Sequence, residues 1–368
     1  MSNAPPTAGT EAKLRFTGSN DFHQVLRRRV DEYFRSTGRS PRDAWQMYLK
    51  TGVILAWFFA SYALLVLWAD AWWQAVPLAL LMAGAVGAIG FNVQHDGGHR
   101  AYSDRQWING LTALSLDMVG GSSYVWRWKH SVFHHAWVNI QDHDADIDLG
   151  RIARLSPHQP LRPIQRWQHW YMWFLYGIMT VRWQLYGDFR DLIAGNVGTP
   201  QKFPPPRGWD LAGLIGGKLL FVLLAFGIPL WFHAFWVVAV FYVMSMAVVG
   251  VLLAVVFQLA HCVEEAQFLP APDGSAEVHN AWAIHQVESS VNFARGNRVM
   301  AWLLGGLNFQ IEHHLFPRVC HVHYPALSKL VEQTCQEFGV RYREHRSFLA
   351  GVASHFRWLR RMGQPTPA

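Results

Sequence analysis

Charge is what this chain has least of. Only 15% of its 368 residues are Asp, Glu, Lys or Arg, while 51% are hydrophobic. A soluble domain carries roughly 25% charged residues, so much of this surface faces a medium other than water and the length cannot be read as one or two ordinary soluble domains. Cysteine is almost absent. Cys262, Cys320 and Cys335 form no close pair and no C-x-x-C, which excludes a disulfide scaffold and reads as free thiols in a reducing compartment. The start of the chain lacks the short apolar core of a secretory signal, and residues 1–20, polar and rich in Pro, Gly and Thr, read as a disordered tail. There is no G-x-S-x-G, no Walker loop and no Rossmann glycine pattern, so serine hydrolase, ATPase and nicotinamide-binding functions have no support. The net charge of +7 comes without any basic groove-reading motif, which excludes nucleic acid as the partner.

Uninterrupted apolar sequence is what the chain does have. Between Thr51 and Gln94 the single charged residue is Asp70, and it separates two runs each long enough to cross a bilayer. From Leu219 to Ala260 there is no Asp, Glu, Lys or Arg; as helix this is about 63 Å, roughly twice a hydrocarbon core, so it folds back near Pro229–His233. The predicted spans are 51–69, 72–94, 211–231 and 235–260. Arg27, Arg28, Arg29, Arg35, Arg39, Arg42 and Lys50 precede the first span, whereas the turn around Asp70 to Trp73 has no Lys or Arg. The positive-inside rule then places both termini and both long polar regions in the cytoplasm. The nineteen tryptophans suit the bilayer interfaces.

The fold class that follows is all-α and integral to a membrane: four transmembrane helices in two hairpins under a cytoplasmic helical cap. Residues 21–50 form a cytoplasmic amphipathic segment, 51–348 the membrane domain, and 349–368 a C-terminal tail. Trp167–Leu185 is apolar but interrupted by His169 and Arg182, and reads as an interfacial helix or, alternatively, a fifth span.

The nineteen histidines are informative by position. His95 and His99 follow the second span at a spacing of four, and His261 ends the fourth, so two spans deliver histidine to one cytoplasmic level. In the cap, HSVFHH supplies His130, His134 and His135; α-helical offsets of four and five put two on one face and turn the third aside. QIEHH supplies Gln310, His313 and His314. A single pair at i and i+4 occurs by chance in so histidine-rich a chain, but three boxes on one side of a membrane do not. Neutral imidazole suits iron, copper, zinc and nickel alike. Eight histidines exceed one ion's needs, and two ions with open positions are the natural count.

These boxes resemble those of the membrane fatty acid desaturases, H-x(3–4)-H, H-x(2–3)-HH and [HQ]-x(2–3)-HH. The likeness runs through HDGGHRAYSDRQWIN (95–109), HSVFHHAWVNIQDHDADID (130–148) and NFQIEHHLFPRVCHVHYPAL (308–327), and with the spans covers most of residues 45–345. The Gln310 form of the third box is similar to the front-end and linoleoyl-type branch, where His261 matches an extra histidine; the HPGG haem segment of a fused cytochrome b5 is missing. The resemblance implies two non-haem iron ions held by His95, His99, His130, His134, His135, His261, His313 and His314. It also implies a dioxygen-dependent cis-desaturation of a fatty acyl-CoA or acyl-lipid, with electrons from a ferredoxin or cytochrome b5 type donor. The setting would be a bacterial inner membrane or the endoplasmic reticulum, with the active site cytoplasmic. Gln310 is a candidate ligand or a hydrogen-bond partner of one. Phe257 stands where stearoyl-type relatives carry an Asn that reaches a metal through water, leaving that position empty or water-filled near Gln258.

A ligating histidine needs an acceptor for its other ring N–H, and Asp96, Asn139, Asp146 and Glu312 are candidates for that role or for a metal ligand, with Asp142, Asp144, Asp148, Glu264 and Glu265 close in sequence. DHDADID lacks the Gly and Glu of a calcium loop. His143, His321 and His323 fit no box and read as structural, and Gly305 and Gly306 as allowing close packing or a turn. A membrane di-iron hydroxylase or ketolase would use the same ligands. A metal transporter would place its ligands at the bilayer midplane instead, and a purely structural four-span protein would leave the clustering unexplained.

Overall fold

The computed structural model describes residues 14–272 and 276–365; most of the expected N-terminal tail, and the last three residues of the C-terminal one, lie outside them. The chain is mostly helical. The longer helices are α1 (Asp21–Thr37), α2 (Trp45–Leu67), α3 (Trp72–Gly98), α4 (Gln168–Arg182), α5 (Trp209–Phe232), α6 (Phe235–His261), α7 (Gln310–Leu315), α8 (Tyr324–Phe338) and α9 (Phe348–Met362).

Four of these, α2, α3, α5 and α6, are long and apolar enough to cross a membrane. Their surfaces invert the soluble pattern: along α5 only Phe221 and Pro229 are buried, while Leu219, Val222 and Leu223 are exposed. A helix that is apolar all round with no protein cover requires apolar surroundings. Exposed tryptophans mark both ends of these helices, Trp45 and Trp209 at one and Trp68, Trp72, Trp73, Trp231 and Trp236 at the other, as expected where an amphipathic ring meets the headgroups. α2 begins at Trp45, so the first apolar helix takes in the end of the segment predicted as amphipathic. The helix predicted to lie flat, α4, packs lengthwise on the half of α6 nearer His261, with Gly177 against Ala247 and the Tyr176 carbonyl against Gly250.

The remaining chain packs around the ends of α3 and α6 that carry His95 and His261. α1 is amphipathic as read, burying Phe22, Leu26, Val30 and Phe34 at every fourth residue against Leu327 and Val331 of α8. Two expected tails are ordered where they are described. Arg15–Phe16 pairs in parallel with Glu277–Val278, so structure begins before residue 20. Residues 348–362, predicted to be largely tail, form α9, whose first turn is capped by Ser347 Oγ accepting the Ala350 N–H at 3.1 Å. This helix buries His355, Trp358 and Leu359, with Trp358 Nε1 donating to the Leu155 carbonyl at 2.9 Å. Arg357, Arg360 and Arg361 around its buried face mask it in the sequence.

Gly305 and Gly306 hold the last histidine segment against α3. Both have positive φ, 58° and 69°. A Cβ on Gly305 would stand 2.1 Å from the Phe91 carbonyl oxygen, which is backbone and cannot move aside. Gly305→Ala is therefore expected to leave little monodisperse protein on size exclusion in detergent, whereas Gly296→Ala, at a glycine with open space around it, is tolerated.

Asp117, on the short helix Ser115–Met118, is buried against α5. One carboxylate oxygen accepts the Ser123 N–H at 3.1 Å and the other has no partner. Burial pushes this carboxyl up to about 7. A folded-state value raised above the usual carboxylate value of about 4 means that stability present at low pH is lost as pH climbs between those values. Asp117→Asn should therefore raise the Tm at pH 8 by roughly 2–4 °C or more, and by much less at pH 4.5, measured by thermal unfolding in detergent.

Candidate metal centre

The seven box histidines and His261 are all buried and all converge. α3 widens into a π-helical stretch at Ile89–Gln94 before presenting His95 and His99, whose rings lie 4.8 Å apart. HSVFHH is also π-helical, over Arg127–His134. Bonding from i to i+5 places residues four and five apart above one another. His130, His134 and His135 therefore all face the centre, and the expected turning aside of one of them is corrected. His313 and His314 come from α7, and His261 ends α6.

The ligand atoms fall into two groups, each spanning no more than 4.8 Å. One holds His95, His99, His130 and His313, the other His134, His261 and His314, and two smaller sets of the same span bridge them, His135 with His313 and His314, and His130 with His134 and Asp146. His135 lies between, its ring 4.6 Å from that of His99, 4.6 Å from His313 and 4.3 Å from His314. Several of these nitrogens have no hydrogen-bond partner despite being buried: His99 Nε2, His134 Nε2, His313 Nε2 and both nitrogens of His135. Each orphan costs about 1–3 kcal/mol, and natural cores rarely leave such groups together. His261 Nδ1 donates to the Ser289 carbonyl at 3.1 Å and His314 Nδ1 to Gln286 Oε1 at 2.8 Å. Their Nε2 atoms therefore both carry lone pairs, and these face each other at 3.2 Å. A cation relieves that repulsion; cis nitrogens about 2.1 Å from a shared ion stand roughly 3 Å apart.

Protonation does not offer an alternative. Burial, reinforced by neighbouring imidazoles, pushes His99, His130, His135, His313 and His314 well below the ordinary histidine range, so they are neutral and have lone pairs to give. His134 differs: burial lowers it, but Asp144, helped by Asp146, raises it above the ordinary value.

The partners of the ring N–H groups are only partly those expected. Asp144, not the favoured Asp146, receives His134 Nδ1, with both oxygens at 3.1 Å. Asp146 stands 3.5 Å from the same nitrogen and pairs with Lys129 at 2.9 Å. Asn139 touches no ring; its side-chain amide donates to the carbonyls of His261 at 3.0 Å and Gln267 at 3.2 Å, clamping the end of α6. Glu312 points away to Asn292 and Tyr342, at 2.8 and 2.9 Å, and burial pushes its carboxyl up to about 7 against these bonds. Gln310 Nε2 lies 3.1 Å from His261 Nε2, the geometry of a hydrogen-bond partner rather than a ligand. Asp96 Oδ1 is 3.9 Å from His95 Nδ1. Glu264 and Glu265 bind Arg357 and Ser354 instead of the centre. Sequence reasoning missed Gln286, Ser289 and Tyr324, whose hydroxyl lies 3.3 Å from His313 Nδ1. Phe257 packs its ring 5.8 Å from that of His130, and Gln258 Oε1 is buried without a partner.

The fatty acid desaturase family profile matches residues 71–346, a stretch that includes every one of these histidines. The chain belongs to the fatty acid desaturase family. It is 40% identical over 359 residues to the sn-1 linoleoyl-lipid 6-desaturase of Synechocystis sp. (strain ATCC 27184 / PCC 6803 / Kazusa), covering 96% of this chain and 99% of that one. The sn-1 linoleoyl-lipid 6-desaturase of Arthrospira platensis is 37% identical, over 96% of this chain and 95% of its own. An acyl-lipid (8-3)-desaturase of Physcomitrium patens is 35% identical, over 97% and 76% respectively. This desaturase is thus an oxidoreductase acting on fatty acyl chains, with apolar helices suited to a membrane and a buried histidine cluster suited to metal.

Proposed function

We propose that this desaturase places a cis double bond in the acyl chain of a membrane lipid, on the carboxyl side of an existing double bond, using two iron ions. His95, His99, His130 and His313 would hold one ion and His134, His261 and His314 the other, with His135 between them. The observation that carries this reading is the cluster of buried imidazoles in which His99, His134, His135 and His313 keep an unpartnered Nε2 while those of His261 and His314 face each other at 3.2 Å. Bound iron supplies dioxygen activation, which no side chain offers for an unactivated methylene. The chain's own residues fix the imidazoles: Asp144, Ser289 and Gln286 accept the Nδ1–H bonds of His134, His261 and His314, which turns each Nε2 lone pair inward, that of His261 toward the Gln310 amide as well.

An acyl-lipid substrate is favoured over acyl-CoA by the lipid-linked activity of the relatives in Synechocystis and Arthrospira, both named sn-1 linoleoyl-lipid 6-desaturase. In the bilayer, α2 with α3 and α5 with α6 act as two hairpins, and the histidine-bearing ends, both termini and the helical cap face the cytoplasm, in a bacterial inner membrane or the endoplasmic reticulum. Tryptophan belts and the arginine-rich approach to α2 support that orientation. Electrons come from a ferredoxin or cytochrome b5 type protein.

The test is expression in a desaturase-deficient bacterium supplied with linoleate, followed by gas chromatography–mass spectrometry of derivatised total lipids. The expected product is a new double bond between the carboxyl carbon and the first existing one. A hydroxy acid would point to the hydroxylase or ketolase outcome of the same ligand set, and unchanged lipids with iron-loaded protein in the membrane would refute the reading.

A further inference from the structure

Lys50 is an unexpected residue in an apolar helix. It lies in the first turns of α2, 5% exposed, and its Nζ is 2.8 Å from His321 Nε2, with the Trp302 ring 5.0 Å away. A carboxylate can only accept, so His321 Nδ1 carries the ring proton and donates it to Asp96 Oδ2 at 3.0 Å, which leaves His321 Nε2 to accept from Lys50 Nζ. The same oxygen receives the His321 backbone N–H at 3.1 Å. Lys50, His321 and Asp96 thus form one hydrogen-bonded chain across three separate elements: α2, the segment after α7, and α3. All three side chains are buried.

Such a chain is a poor way to gain stability, since burying an ammonium and a carboxylate costs several kcal/mol per ion and apolar side chains of similar volume commonly do as well. Its position suggests a different use. Asp96 adjoins His95, and its second oxygen, Oδ1, faces His95 Nδ1 at 3.9 Å, beyond hydrogen-bond range but aimed at it.

We propose that Lys50 and His321 are positioning residues for the metal centre. They hold the Asp96 carboxyl in one orientation, so that its charge, 3.9 Å from His95 Nδ1, favours the ring proton on that nitrogen and leaves the His95 Nε2 lone pair for the ion shared with His99, His130 and His313. The inference rests on the proposed iron centre and adds two residues to it, one of them in the first apolar helix. It also predicts asymmetry, because the chain touches one ion group and not the one built on His134, His261 and His314.

The test compares Lys50→Met, His321→Phe and His321→Gln with the wild type, all purified in detergent. Three quantities are read: iron per chain after titration with a chelator, the Mössbauer spectrum, and the Tm of iron-free protein. Lys50→Met and His321→Phe are expected to lose one of the two irons at roughly 10–100-fold lower chelator concentration, altering one Mössbauer subsite and leaving the other. His321→Gln, whose amide can both accept and donate, should recover most of the lost affinity. Unchanged iron affinity and spectra in Lys50→Met and His321→Phe would overturn the proposal, as would equal loss of both irons that tracks a fall in iron-free Tm. If Lys50→Met does not fold, the contrast between His321→Gln and His321→Phe decides alone. A wild-type chain that binds no iron would remove the underlying centre and the proposal with it.

Discussion

Replacing His135 by alanine is expected to abolish desaturation and to cut bound iron from two ions per chain to one or none, while the chain still inserts in the membrane. His135 lies close to both ion groups, stacked on His314 at 4.3 Å and within 4.6 Å of His99 and His313. Neither of its ring nitrogens has a partner in the protein. Without iron the side chain is a buried liability, so its removal takes away two unsatisfied polar atoms and no hydrogen bond. The Tm of iron-free His135→Ala should accordingly match or exceed that of the iron-free wild type, apart from the small cavity left behind. A residue kept for packing alone would behave the opposite way, lowering Tm and sparing activity. Iron by plasma mass spectrometry, product by gas chromatography and Tm by thermal unfolding separate the two outcomes.

The second large effect is expected at Asp144. Its oxygens each lie 3.1 Å from His134 Nδ1, and one also accepts the Asn139 N–H at 2.8 Å while the other accepts that of Asp146 at 3.0 Å. Asp144→Asn offers one oxygen in place of two and loses the charge that favours the Nδ1–H form of His134. A loss of roughly 10–100-fold in iron affinity or turnover is the usual scale for such a partner. Asp146→Asn should cost much less. That carboxyl is farther from His134, at 3.5 Å, and its main partner is Lys129, which holds it below the usual carboxylate range against the effect of burial. Equal losses in the two variants would mean that the acidic segment acts by its overall charge and not through the single contact to His134.

The histidines were legible in the sequence because their spacing is local and because one box and the lone His261 sit at the ends of apolar runs whose ends are themselves legible. The four apolar helices followed from hydropathy for the same reason, with α2 starting six residues early because Trp45–Lys50 carries a single charge. What the sequence hid was non-local. Gln286 and Ser289 reach His314 and His261 from 28 residues away, through a turn that brings Trp282–Glu288 across α7, and no spacing rule encodes such a crossing. The choice between Asp144 and Asp146 was hidden differently: both lie on one short acidic stretch, and only the backbone turn there, with Asn139 at φ 55° and Asp142 at φ 66°, decides which carboxylate turns inward. The π-helical register of HSVFHH was hidden too, because an α-helical spacing was assumed where the extra residue per turn is what aligns all three rings. His321 fitted no box because it serves a box residue's neighbour, Asp96, instead of a metal.

The central claim is that these eight histidines hold two iron ions. It is tested most directly by the metal content of protein purified anaerobically after expression with iron supplied: two irons per chain and negligible zinc or copper are predicted, and folded, lipid-desaturating protein that carries no iron would contradict the account.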